Sequence, residues 1–346
     1  MTILLTGGAG YIGSHAVLDL LEAGERVVIL DDLSTGFRAA VAPEAELVVG
    51  DAGDEALIGK LIATRGVDAI VHFAGSVVVP DSVADPLGYY RNNTVNSRAL
   101  IAAAVKGGVR RFVFSSTAAV YGATGSAPVK ETAPAVPISP YGRSKLMTEM
   151  MLTDTAAAHD FRFVALRYFN VAGADPAGRA GQSTRGATHL IKVACEAALG
   201  KRPGVDVFGT DYPTPDGTGI RDYIHVTDLA AAHRAALRYL AKGGASLIAN
   251  CGYGHGASVR EVLDAVGRIA GRSFPIRTAP RRPGDMAAVV ADAGLVRRTL
   301  DWTPRFDDLD FIVRTALAWE EALGRRGGAE APPRQAPLTA RGAAQQ

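Results

Sequence analysis

The sequence predicts an α/β chain, a doubly wound parallel sheet followed by a smaller C-terminal α/β lobe. Two observations predict it. Apolar runs at "TILLT" (2–6), "RVVIL" (26–30), "AIVHFA" (69–74), "RFVFSS" (111–116) and "RFVALRYF" (162–169) read as buried parallel strands. Helical patterns at 11–23, 54–65, 87–106 and 140–159 separate them, and repeated strand–helix order puts helices on both faces of one sheet. A third strand ends at Asp51 in "VVGDAGD". After about residue 170 the alternation loosens, and loops such as "FGTDYPTPDGTGIRDY" (208–223) separate helices at roughly 186–199, 227–241, 258–270 and 307–323. The expected organisation is a first domain over 1–170, a second lobe over 171–324, and a polar Pro/Gly/Ala-rich tail over 325–346, which is expected to be disordered.

Composition excludes several classes. The 346 residues are 48% hydrophobic and 21% charged, as in ordinary globular proteins, with a net charge of +2. No block of basic residues argues for nucleic acid or an anionic membrane, and no apolar run reaches the ~18 residues of a membrane helix. The two cysteines, Cys195 and Cys251, match no metal spacing and read as core residues of a reducing compartment. "MTILLTGG" enters the first strand directly, so no signal peptide is expected and the protein is placed in the cytoplasm.

The loop after the first strand, "LLTGGAGYIGSH", carries Gly7, Gly10 and Gly13 in a GxxGxxG spacing. Glycines let the backbone turn sharply and approach a pyrophosphate, whose charge the helix N-terminus stabilises. The alternative is a tight strand–helix turn with no ligand; the position between strand and helix favours a Rossmann-type dinucleotide site. Asp31 ends the second strand 18 residues beyond Gly13. An acid there accepts from ribose hydroxyls and repels a 2′-phosphate. No arginine follows in "DDLSTG" (Asp32, Leu33, Ser34), so the cofactor is read as NAD rather than NADP. Asp51 stands where such folds hold the adenine amino group, or is equally a helix cap.

"SPYGRSKLMTE" (139–149) puts Tyr141 and Lys145 four residues apart on one helix face. A phenol titrates near ~10 in water; a lysine one turn away, together with a positively charged nicotinamide, favours the phenolate. A hydroxyl from Thr117 or Ser116, at the end of "RFVFSST", is placed to bond the same substrate oxygen. Tyr–Lys pairs are common on ordinary helices; beside the glycine loop and Asp31, this one reads as a general base accompanying hydride transfer.

These motifs resemble the extended short-chain dehydrogenase/reductases, and among them the UDP-glucose 4-epimerase family. "TGGAGYIGSH", "DDLSTG", "HFAG", "YYRNNTVNS", "SSTAAVYG", "SPYGRSKLMTE", "LRYFNVAGADP", "GTDYPTPDGTGIRDYIHVTDLA" and "RRPGDMAAVVAD" occur in family order from residue 2 to about 320. The resemblance implies Tyr141 as base, Lys145 as its partner and Thr117 as the serine/threonine of the site. It implies cofactor contacts at Tyr11, Ile12, Asp31, Asp32, Leu33, Ser34, Asp51, Ala52, Phe73, Ala74, Gly75, Asn92, Ser115 and Phe169, beside the three glycines. Thr117, Asn170, His189, Leu190, Val207, Phe208, Arg221, Arg282, Asp285 and Val289 fall where the family holds the UDP-sugar. The implied reaction is reversible epimerisation at carbon 4 through a transient 4-keto sugar and NADH, in a homodimer paired through helices 87–106 and 140–159.

Three positions depart from the pattern. Val77 replaces a cofactor-contacting lysine. His189 stands where some members have asparagine; it retains a donor but reads equally as a plain core or surface histidine. Val289 is small where a bulky residue restricts the pocket to glucose and galactose. Dehydratases follow the threonine with an acidic pair, whereas Ala118 and Ala119 follow Thr117. Epimerases of UDP-N-acetylglucosamine, UDP-xylose or UDP-glucuronate remain as alternatives, and a non-catalytic NAD-binding sensor is the reading of a different class.

Overall fold

The computed structural model describes residues 1–123, 128–184, 186–282 and 285–325. Nearly all of the expected tail, residues 326–346, lies outside the described residues. The first lobe contains β1 (Thr2–Thr6), α1 (Tyr11–Glu22), β2 (Arg26–Asp31), β3 (Glu46–Val49), α2 (Glu55–Arg65), β4 (Ala69–His72), α3 (Val79–Ala84), α4 (Pro86–Tyr89), α5 (Asn96–Lys106), β5 (Arg111–Thr117), α6 (Pro140–Ala158) and β6 (Arg162–Tyr168). Then follow β7 (Asn170–Ala172), α7 (Leu190–Ala198), β8 (Val205–Phe208), β9 (Ile220–Arg221), β10 (Tyr223–His225), α8 (Val226–Ala241) and β11 (Leu247–Cys251). The chain continues through β12 (Ala257–Ser258), α9 (Val259–Ala270), β13 (Ile276–Ala279), β14 (Ala288–Val289), α10 (Gly294–Leu300) and α11 (Leu309–Arg325).

Seven strands form one parallel sheet in the order β11-β6-β5-β4-β1-β2-β3. The continuous apolar runs are explained by burial on both faces. Alternate residues Leu4, Val28, Leu30, Ile70, Phe112 and Phe114 enter one core, while Ile3, Leu5, Ile29, Val71 and Val113 enter the other. Strand order reverses between β1 and β4, which opens a crevice beyond their carboxyl ends. Short strand pairs (β7–β10, β8–β13) and the β12–β9–β14 ribbon, with α7, α9 and α11 packed together, build the region beyond that edge.

Three features depart from the expected elements. The chain returns to the first lobe: α8 packs on α1, with Arg234 Nε 2.6 Å from Asp19 Oδ2, and β11 completes the sheet beside β6. The expected helix 87–106 is instead α4, a π-helical turn over Tyr90–Val95, and α5. The expected helix 186–199 begins only at Leu190. None of the described helices is long and apolar enough to cross a membrane.

Candidate active site

The glycine loop lies at the reversal point of the sheet. A Cβ on Gly7 (φ +76°) would sit 2.6 Å from the backbone nitrogen of Ala74, and one on Gly13 would sit 2.1 Å from the carbonyl oxygen of Gly7. Both positions therefore require glycine for the loop to close onto β4 and α1. At Gly10 the nearest atom would be 3.3 Å away, so the fold crowds it far less. Gly10 is the N-cap of α1, yet no side chain caps that end and the first turn holds no acid. Backbone N–H groups there are left for an anion, which fits the pyrophosphate of NAD.

Asp31 lies buried at the end of β2. Its carboxylate accepts from the backbone N–H of Ala9 (2.9 Å) and of Leu33 (2.8 Å), tying the glycine loop to the segment that follows β2. Burial pushes its pKa up, against the pull of those two donors. Leu33 takes a left-handed conformation (φ 59°). Asp32 accepts from the backbone and hydroxyl of Ser34, so this pair closes a local turn with its side chains. Asp51 is not a helix cap; Asp54 caps α2 by accepting from Ala56 and Leu57. Asp51 instead accepts from Gly53 N and from Asn96 Nδ2 (2.9 Å), two residues beyond the end of β3.

Ala52, next to Asp51, is buried, and Phe73, following β4, packs on His233 of α8. Gly75 sits where a Cβ would lie 2.9 Å from Asn93 Oδ1 and 3.7 Å from Lys145 Nζ. The π turn explains two adjacent asparagines. Asn92 donates to Ser76 Oγ (2.8 Å), while Asn93 accepts from Ser76 N and donates to Ser76 O and Ser144 Oγ. Asn93 therefore fixes the loop after β4 to helix α6. Sequence reasoning named Asn92 and missed Asn93, because a π turn leaves no mark on a 3.6-residue period. Tyr11 donates its hydroxyl to Gly173 O (2.6 Å), so its ring bridges the lobes while its backbone remains at the α1 N-terminus. Val77 is exposed on the same loop, and no lysine reaches this edge from that position.

Tyr141 and Lys145 share the inner face of α6, both buried, with Ser139 capping the helix. The Thr117 hydroxyl lies near enough to the Tyr141 phenol to favour its ionised form, and the phenol of Tyr168 lies close by and disfavours it. Thr117 Oγ1 also accepts from Ala119 N (3.1 Å), which leaves its proton for a second oxygen. Ser116 points away to Glu149 (2.5 Å), so Thr117 supplies the hydroxyl of this site. Lys145 Nζ donates to the Ser115 carbonyl (3.1 Å) and lies 4.9 Å from the Phe114 ring centroid. The expected acidification of Tyr141 by Lys145 does not appear in the protein by itself. Burial raises the phenol above its ordinary value, and Lys145, pushed down to about 8 by its own burial, spends its hydrogen bond on Ser115.

The residues expected at the nucleotide sugar follow β6. Beyond Tyr168 come buried Phe169 and then Asn170, which opens β7 and donates its backbone N–H to Asp222 O. Val289 pairs with Arg221 in the β14–β9 register, so these two sit side by side. Arg221 donates to Asp285 Oδ1 (3.1 Å) and to the carbonyls of Ile220 and Met286. Val207 and Phe208 end β8, and the Arg282 guanidinium lies 3.7 Å from the Phe208 ring centroid. That face of the ring, expected beside the uracil, is covered by arginine. His189 stands at the N-cap of α7 just before Leu190 without capping it through its side chain; Gln182 Nε2 donates to its Nδ1 (2.7 Å), which places the ring proton on Nε2. Gln182 escaped sequence reasoning because nothing in its spacing marks it.

Residues 3–252 match the NAD dependent epimerase/dehydratase family. The UDP-glucose 4-epimerase of Azospirillum brasilense is 57% identical over 331 residues, covering 96% of this chain and 95% of that one. A UDP-glucose 4-epimerase from Brucella ovis solved in complex with NAD superposes with a TM-score of 0.89 at 44% identity, covering 92% and 97%. A UDP-Glc/GlcNAc 4-epimerase from Campylobacter jejuni gives 0.82 at 46% identity, covering 93% and 99%. With the glycine cradle, the Tyr141–Thr117–Lys145 cluster and this likeness along nearly its whole length, the chain belongs to the NAD-dependent epimerase/dehydratase family of extended short-chain dehydrogenase/reductases.

Proposed function

We propose that this protein interconverts UDP-glucose and UDP-galactose by inverting carbon 4 of the hexose. The observation that carries this reading is the buried Tyr141 beside Thr117 and Lys145 on one side of α6 and β5, in a chain that matches named UDP-glucose 4-epimerases almost end to end. NAD, when bound on the Gly7–Gly13 cradle and Asp31, supplies a reversible hydride acceptor for carbon 4. Tyr141 takes the proton of the sugar 4-hydroxyl while Thr117 donates to the same oxygen, and Lys145 offsets the growing negative charge. The 4-keto sugar turns within the site, and Tyr141 gives its proton back to the carbon-4 oxygen as the hydride would return to the opposite face of carbon 4. Arg221, Arg282, Asn170 and His189 hold the UDP part throughout, because a guanidinium suits a diphosphate and the sugar itself must stay free to rotate.

We read residues 1–170 as the cofactor lobe, completed by the returning α8 and β11, and the rest as mainly the nucleotide-sugar lobe. A homodimer is supported by a row of exposed apolar side chains: Leu87 (77% exposed), Val95 (55%) and Met150 (58%) lie on the π-broken helix and on α6. Sedimentation velocity reads this directly, and a monomer at micromolar concentration contradicts it. The cytoplasm is the expected compartment, since the nucleotide sugar and NAD are met there. Incubating the purified protein with UDP-galactose and measuring UDP-glucose tests the function. Absence of turnover in either direction, with cofactor bound, refutes it.

A further inference from the structure

Behind the catalytic pair lies a buried ionic cluster that the reaction as described does not use. Glu149 is one helical turn beyond Lys145 on α6. Its carboxylate accepts from Arg167 in a two-pronged pair (Nε–Oε1 3.0 Å, Nη2–Oε2 2.6 Å) and from Ser116 Oγ (2.5 Å). Ser116 and Arg167 are register partners across β5 and β6. Arg167 lies over the Tyr121 ring (4.8 Å), whose hydroxyl donates to Asn250 of β11. Glu149 and Arg167 are both buried.

We infer that Glu149 is a positioning residue of the reaction: it ties the strand end that carries Thr117 to the helix that carries Tyr141 and Lys145, and it supplies the buried negative charge facing Lys145. A hydrophobic pair would pack this space at less desolvation cost than an ion pair, so stability alone is a weak reason for it. Two features give it a role beyond packing. Ser116 adjoins Thr117, and its bond to Glu149 joins β5 to α6 within two residues of the Lys145–Ser115 bond. Burial also drives Lys145 toward its neutral form, and Glu149 is the charge that opposes this. The other groups around Lys145 do not replace it. His72 of β4 is buried and neutral, with a pKa lowered to about 3; Ser115 and Phe114 of β5 offer a carbonyl and a ring; burial keeps the Tyr168 phenol neutral, and Tyr141 is the base whose negative charge Lys145 serves; Arg167 of β6 is positive.

The inference rests on the epimerase reading and is tested in the NAD-loaded full chain by pH profiles of kcat and KM for UDP-galactose. Glu149→Gln keeps the shape and an acceptor for Ser116 but removes the charge. We expect kcat to fall roughly tenfold with KM within about twofold, because the groups are misplaced without losing the UDP contacts. We also expect its alkaline limb to move about half a unit or more toward acid, as Lys145 loses its proton earlier. Glu149→Asp should restore the limb. Ser116→Ala retains the ion pair and should lower kcat several-fold without moving the limb. A Glu149→Gln limb that superposes on the wild type, or that Glu149→Asp does not restore, overturns the charge role. Wild-type kcat in Ser116→Ala overturns the tie, and this variant decides that part even if Glu149→Gln fails to fold. Wild-type protein without any epimerisation would instead refute the function, a separate result.

Discussion

Acidification tests the interior of this protein more sharply than heat does. Four histidines are buried in their neutral form: His72 and His225 have pKa values lowered to about 3, and His15 and His233 to about 4, mainly by burial. In the unfolded chain each titrates near ~6.5. The folded state thus lacks protons that the unfolded state binds between these values. Stability is fully present above pH ~6.5 and is lost as pH falls toward 4. At pH 5.5 each histidine contributes a loss of about 1.4 kcal/mol, so four give an upper figure near ~5–6 kcal/mol. Buried Asp31 and Asp222, whose pKa values are raised, act in the opposite sense and reduce the net. We expect a loss of about 3–5 kcal/mol between pH 7.5 and 5.5, a large part of the ~5–15 kcal/mol of a typical fold. Urea unfolding followed by circular dichroism at several pH values measures it. His233→Phe should flatten the slope by one proton, about 1.4 kcal/mol per pH unit; its ring packs on Phe73, and its Nε2 has no hydrogen-bond partner. Unfolding free energy that stays constant from pH 7.5 to 5.5 refutes the assignment of neutral buried histidines.

Tyr141→Phe keeps the ring and removes the proton carrier, so kcat should fall about 10²–10⁴-fold while bound NAD remains visible by absorbance; turnover within threefold of wild type would sink the assignment. Asp31→Ala should weaken NAD by roughly 10- to 100-fold, the worth of one or two charged hydrogen bonds, and narrow the preference over NADP. Equal affinity of the wild type for both cofactors, by fluorescence titration, contradicts this. Val289 is paired beside Arg221, and its small side chain predicts that UDP-N-acetylglucosamine is accepted as a second substrate. Val289→Tyr should then lose kcat/KM on the acetylated sugar selectively, and equal loss on both sugars counts against the pocket.

Much of this was legible because it rests on steric or periodic necessity. Gly7 and Gly13 are glycines for want of room for a Cβ, and Tyr141 and Lys145 meet because helical spacing demands it. The same spacing, carried one turn further in "SKLMTE", reaches Glu149. The parallel strands announced themselves as apolar runs because both faces are buried. What stayed hidden depends on tertiary placement. Strand β11, "LIANC", is too short and too polar at its end to stand out, and it is a strand only because β6 offers an edge. Asp51 and Asp54 are equivalent on paper, and only the trajectory of α2 selects Asp54 as its cap. The pKa of Tyr141 could not be read from its neighbours because burial, a property of the whole fold, outweighs them. Arg282 on Phe208 joins segments far apart in the chain, with nothing local to signal it.

The late arrival of β11 has a consequence on the ribosome. When Tyr168 has emerged, β6 presents an unpaired apolar edge, and its partner Leu247–Cys251 is still about 80 residues away in the message. At roughly 5–20 residues per second that edge stays open for about 4–16 s. The nascent chain therefore passes through an interval in which the nucleotide-binding half is nearly complete yet prone to pairing with another chain. A fragment ending at residue 170 should aggregate rather than fold, whereas one extending through Cys251 and α8 should be shielded at that edge, and pelleting assays on the two fragments read the difference.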